Sequence, residues 1–127
     1  MEPLEVHRLE IRNIVSEGNK RESYFVSNAR HKTQKALIKA GLPYISFYKN
    51  IPILIKLVRI SPRKLDEHDN LPYSFKYIVD AIADLIYPGQ QAGRADDTDM
   101  ITWKYSQEKG AQGYKGLRIE IYANPED

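Results

Sequence analysis

Ile51-Pro52-Ile53-Leu54-Ile55-Lys56-Leu57-Val58-Arg59-Ile60 is the strongest strand signal in this sequence. Beyond Pro52, only Lys56 and Arg59 interrupt a run of aliphatic side chains. So continuous a run suits a central strand buried on both faces, not one that alternates at a solvent boundary. Pro52 has no N–H to give to a ladder and belongs at the beginning, and Ser61-Pro62 ends the strand.

Downstream the period changes. Leu71, Phe75, Ile78, Ile82 and Leu85 recur at spacings of four, three, four and three, the stripe of an amphipathic helix over about Leu71 to Ile86. Asp69 or Asn70 supplies its N-cap oxygen, Pro72 fits the first turn, and Tyr87-Pro88-Gly89 stops it. Lys76, Asp80 and Asp84 follow one another at i+4 on its polar side. From about Met100 to Gln107, Ile101, Trp103 and Tyr105 alternate with Thr102, Lys104 and Ser106, which predicts a strand. Gly110, Gly113 and Gly116 then predict a hairpin connection into a last strand with Leu117, Ile119 and Ile121 inward.

Upstream, Leu9, Ile11 and Val15 alternate with Arg8, Glu10 and Arg12, predicting a strand over about Val6 to Val15. Leu4 and Val6 are out of phase with Leu9, which predicts a bulge or a later start. Ser27 or Asn28 caps a helix reaching about Ala40, ended by Gly41 and Pro43, with Ala36, Leu37 and Ala40 as a narrow apolar side. The order β-α-β-α-β-β is that of an α+β fold, a small mixed sheet with two helices packed on it.

At 127 residues the chain suits one domain, residues 1–127, with one core. Hydrophobic content of 42% and charged content of 28% are those of a globular protein. Without Cys there is no disulfide framework, no thiolate nucleophile and no Cys-ligated metal. No apolar stretch is long enough to cross a bilayer and the first residues lack a signal-peptide pattern, so an intracellular location without a membrane partner is expected.

The net charge of +2 conceals two opposed regions. From Lys20 to Lys64 there are 11 basic residues and one acid, Glu22; from Asp66 to Asp99 there are eight acids and two bases. A basic region beside a carboxylate cluster is what a protein needs to hold a polyanion and a cation that acts on it. Arg21, Arg30, Lys32, Lys35, Arg59, Arg63 and Lys64 are the candidates for contacts to a nucleic-acid backbone.

The acids form two clusters that bracket the second helix. Asp66-Glu67-His68-Asp69-Asn70 leads into it, and Asp96-Asp97-Thr98-Asp99 precedes the Trp103 strand. If strand and helix ends bring them together, their carboxylates repel one another unless a cation sits between. Oxygen-only ligands suit Mg²⁺, with Mn²⁺ as the variant, and the usual partner of such ions is a substrate phosphate. Read singly, Asp69 is an N-cap, the later Asp residues form a turn, and Lys76 pairs with Asp80. The combination points to phosphodiester chemistry.

Pro62-Arg63-Lys64-Leu65-Asp66-Glu67-His68-Asp69-Asn70-Leu71, then Lys76, Asp80-Ala81-Ile82, Asp96-Asp97 and Ile101-Thr102-Trp103-Lys104-Tyr105, resembles the RusA-type Holliday junction resolvases, closest to their phage-encoded branch. The resemblance covers roughly Ile53 to Tyr122. It implies a small homodimeric, Mg²⁺-dependent endonuclease that nicks opposing strands of four-way DNA junctions in recombination and repair, in a bacterial or phage-encoded cytoplasmic setting. Carried over residue by residue, it implies Asp69 and Asp97 as metal-binding catalytic acids and Lys76 as the helical lysine. Glu67 or Asp66 takes the first acidic position, and Asp96 neighbours the later one. The Asn70–Asp80 and Tyr87–Ala95 intervals are longer than the family pattern. Insertions on both sides of a catalytic cluster make a catalytically inactive nucleic-acid-binding relative the alternative.

Overall fold

The computed structural model describes residues 2–11, 14, 24–63, 70–88, 100–111 and 114–123. They form β1 (Glu5–Leu9), α1 (Tyr24–Gly41), a 3-10 turn (Ile45–Tyr48), β2 (Ile53–Ser61), α2 (Asn70–Ser74), α3 (Lys76–Ile86), β3 (Ile101–Lys109) and β4 (Gly116–Ala123). The four strands make one mixed sheet in the order β1-β4-β2-β3, and the fold is α+β as expected. No helix of the described residues is long and apolar enough to cross a membrane.

β2 occupies the interior position its composition predicts, antiparallel to β4 on one side and parallel to β3 on the other. Ile53, Ile55 and Leu57 are fully buried on the helix-facing side, with Ile119 and Ile121 of β4 beside them. Ile38 of α1 and Phe75, Ile78 and Ile82 of the second helical region close over these side chains in one core.

Four expectations are corrected. The first strand begins at Glu5 in regular register, with Glu5, His7 and Leu9 opposite Ile121, Ile119 and Leu117; Leu4 and Val6 fall on the other side and are exposed, with no bulge in the ladder. The first helix starts by Tyr24 and buries Arg30, Gln34 and Ile38, a stripe at i, i+4 and i+8, while Ala36, Leu37 and Ala40 face solvent. The second helix is two segments that meet at Phe75. There the Phe75 N–H donates to Pro72 O at 3.2 Å, a tighter turn than the α-helical ladder, before Val79 resumes the α-pattern to Phe75 O at 2.8 Å.

The last correction is topological. β3 and β4 do not form a hairpin, because β2 lies between them. The chain passes over the end of β2 instead. The Gly110 N–H donates to Ser61 O at 3.0 Å, and a Cβ at Gly110 would stand 2.8 Å from Ile60 Cγ2. Glycine is thus required there by close approach rather than by a two-residue turn.

All described helices lie against one face of the sheet. On the other, Arg118 of β4 reaches over β2 to Glu108 of β3 and also binds Glu120 on its own strand, Nε to Oε2 at 2.6 Å. Val58, paired with Arg118 across the β2–β4 ladder, is fully buried on that face.

Candidate metal and nucleic-acid site

β2 and the helix pair define where the acidic runs must enter. β2 ends at Ser61, Pro62 and Arg63 continue it, and Asn70 opens α2. Asp66, Glu67 and Asp69, between those points, lie outside the described residues, as do Asp96 and Asp97, Arg21 and Lys64. Lys76 is placed. It opens α3, is exposed, and holds its Nζ 5.4 Å from the Tyr77 ring centroid. It therefore stands within two helical turns of Asn70, on the same helical region.

The residues on either side of the second run, Pro88 and Met100, are described. α3 runs back along the sheet, and the Tyr87 hydroxyl after its end accepts the Asn50 N–H at 3.0 Å, just ahead of β2. Met100, which follows the run, accepts the Ile53 N–H at 2.9 Å through its carbonyl, at the first residue of β2. Phe75, five residues after Asn70, stacks on Tyr105 at 5.3 Å, and Tyr105 pairs with Leu57, midway along β2. Arg63, ahead of the first run, follows the Ser61 end of β2, whereas Met100, after the second, meets its Ile53 end. The expectation that neighbouring element ends bring the runs together falls on residues 66–69 and 96–99, outside the described residues. The carboxylates of Asp66, Glu67, Asp69, Asp96 and Asp97 are hard oxygen donors, which fit a cation such as Mg²⁺ or Mn²⁺.

The basic candidates divide. Lys32, Lys35 and Arg63 are exposed, whereas Arg30 and Arg59 are buried at 8% and 9% exposure. Arg59 donates Nε to Ile14 O at 3.0 Å and a terminal nitrogen to Arg63 O at 2.7 Å, and burial lowers its pKa. Its guanidinium joins three segments of the domain, a structural role in place of the phosphate contact expected for it. Lys35 pairs with Asp84 at 3.6 Å across the α1–α3 boundary.

A groove of about 350 Å³ between α1 and α3 was not foreseen. His31, Lys32 and Lys35 line one wall and Tyr77, Asp80 and Asp84 the other. His31 stacks on Tyr77 with ring centroids 3.4 Å apart. The i+4 series Lys76, Asp80, Asp84 was the visible signal for one wall; nothing local says which helix faces it.

On the open sheet face the charges are tightly matched. Hydrogen bonds from Arg118 hold the Glu108 carboxyl below the ordinary range. Burial pushes Glu120 upward, but hydrogen bonds from Tyr122 and Arg118 outweigh it and leave Glu120 lowered as well. The two carboxylates in turn raise the Arg118 pKa. Trp103 and Tyr105 turn toward the helices. The Trp103 indole N–H is buried and has no hydrogen-bond acceptor among the described residues.

No protein-family model matches this chain, and no curated protein matches it.

Proposed function

We propose that this protein is a Mg²⁺-dependent endonuclease that resolves four-way DNA junctions by symmetric nicking, as a homodimer in a bacterial or phage-encoded cytoplasmic setting. The observation that carries the reading is the sequence Asp66-Glu67-His68-Asp69-Asn70-Leu71 entering a helix directly after a buried strand, with Lys76 exposed on that helical region and Asp96-Asp97 ahead of the next strand. Asp69 and Asp97, with Glu67 or Asp66, would hold the cation, and Asp96 is the neighbouring donor. When bound, that cation polarises the scissile phosphate and lowers the pKa of attacking water. Lys76 stabilises negative charge developing on the phosphate or protonates the leaving oxygen. Lys32, Lys35 and Arg63 supply sequence-independent, salt-sensitive contacts to the DNA backbone. Two-fold symmetry in a dimer matches a junction that presents two equivalent strands.

The deciding experiment incubates the protein with a synthetic four-way junction and Mg²⁺, beside D97N. Paired symmetric nicks that disappear in the variant support the proposal, and identical products from both sink it. The longer intervals on both sides of the acidic cluster favour a second reading, a DNA-binding protein without catalysis. That protein would bind junctions equally with EDTA or Mg²⁺ and leave every strand intact.

A further inference from the structure

We infer that the 3-10 turn between α1 and β2 is a stacking surface for unpaired nucleic-acid bases, with Tyr44 and Phe47 as the platforms and Lys39 and Lys49 holding the flanking phosphates. Tyr44 is 83% exposed and Phe47 is 74% exposed, and Ile51 adds apolar surface beside them. A single exposed apolar residue carries no information, but two aromatic rings this bare within four residues do. The Phe47 N–H donates to Tyr44 O at 3.0 Å, and residues three apart in a 3-10 turn lie one above the other.

The turn is braced from beneath. Tyr48 is buried and its hydroxyl donates to Glu5 of β1, while Phe47 rests edge-on against the Tyr48 ring with centroids 5.4 Å apart. Beyond the turn, Asn50 adopts a left-handed conformation at φ 63° and is tied through its N–H to the Tyr87 hydroxyl. A platform held in advance loses little conformational freedom when a ring stacks on it.

Charge selects the partner. No Asp or Glu occurs from residue 23 to residue 65. Lys39, in the last turn of α1, and Lys49, directly after the 3-10 turn, are exposed and form no ion pair among the described residues. Glu5, which reaches the turn from β1, accepts hydrogen bonds from both Tyr48 and His7. Aromatic faces flanked in sequence by the exposed Lys39 and Lys49 match the alternation of base and phosphate in a single strand. The surface lies at the Ile53 end of β2, away from Lys76, and the inference does not depend on nicking.

The test is fluorescence anisotropy of labelled oligo-dT and of a matched duplex with the full chain, comparing wild type with Y44A/F47A. The variant should bind oligo-dT at least about tenfold more weakly and the duplex within about twofold of wild type. F47W should keep oligo-dT affinity and show emission quenched by the oligonucleotide, a readout that stands if the double variant fails to fold. Equal oligo-dT affinity of wild type and Y44A/F47A, or no quenching in F47W, overturns the inference. So does Tyr44- and Phe47-dependent binding to anionic phosphatidylserine vesicles without oligo-dT affinity, or self-association that the double variant abolishes. Junction nicking with oligo-dT binding unaffected by Y44A/F47A would leave the endonuclease reading standing and this one refuted. Aromatic-dependent oligo-dT binding without nicking would do the reverse.

Discussion

Arg118 of β4 grips Glu108 of β3 with both terminal nitrogens, although the two strands are not neighbours and β2 runs between them. Two strand spacings, about 10 Å, are bridged by one side chain lying over Val58. A bidentate guanidinium–carboxylate pair has a fixed planar geometry, so it holds the three strands in register as well as neutralising charge.

Acid should weaken this arrangement first. Glu108 and Glu120 both have folded pKa values below 4.5, so their contribution is present above that pH and is lost as pH falls through the lowered folded values. Denaturation midpoints measured from neutral to acid pH should hold steady down to about the ordinary carboxylate range and then decline. E120Q should flatten that decline. An acid limb identical in E120Q and wild type would remove Glu120 from the account.

On the alkaline side the most strongly raised tyrosine is Tyr48. Burial, reinforced by its hydrogen bond to Glu5, pushes its pKa from 10.0 up to about 12. Stability from this group is therefore complete below pH 10 and disappears as pH rises through 12. Phenolate absorbance should show tyrosines that titrate late, and Y48F should remove the Tyr48 part of that signal, leaving that of Tyr122, along with the associated loss of stability.

Arg59 predicts a stability effect separable from DNA binding. R59M keeps much of the side-chain length but leaves the carbonyls of Ile14 and Arg63 without their charged donor. The loss should be on the order of 3 kcal/mol in chemical denaturation. Affinity of the remaining folded protein for a junction should stay within about twofold of wild type, which a direct phosphate contact would not permit.

Lys76 predicts the opposite pattern. It is exposed, and its described neighbour is the face of Tyr77, so K76A should change stability by less than about 0.5 kcal/mol. If Lys76 acts on the phosphate, junction nicking under saturating substrate should fall by about 10² or more while junction affinity changes little. A stable K76A with wild-type nicking would exclude it from the chemistry.

How far the sequence discloses this molecule depends on the range of the information. Ile53 to Ile60 announces an interior strand because its own composition demands burial on two sides, and Leu71 to Leu85 announces a helix because its period is local. β4 does not announce its neighbours. A glycine-rich connection is compatible with a tight turn or with a passage over Ile60, and only pairing with β1 and β2 decides between them. Arg59 and Arg30 look like surface cations until the carbonyls and side chains that bury them are placed. In the site, Lys76 falls on an exposed helical position as its i+4 series suggests, whereas the parallel β2–β3 pairing joins residues 48 apart in sequence, Ile53 and Ile101 first among them. No short-range pattern encodes it.

The position of β4 also bears on how the protein comes into being during translation. Among the described strands β1 pairs only with β4 and β2 with β4 and β3, and β4, ending at Ala123, is the last of these four to be made. Until that segment has left the ribosome, β1 has no partner and one edge of the most apolar strand in the chain stands open. Sheet closure awaits pairings of long sequence separation, which are slow to form. The nascent chain therefore passes through an interval in which Ile53 to Ile60 offers an unpaired edge to other strands, and holdase chaperones have their greatest effect on yield in that interval.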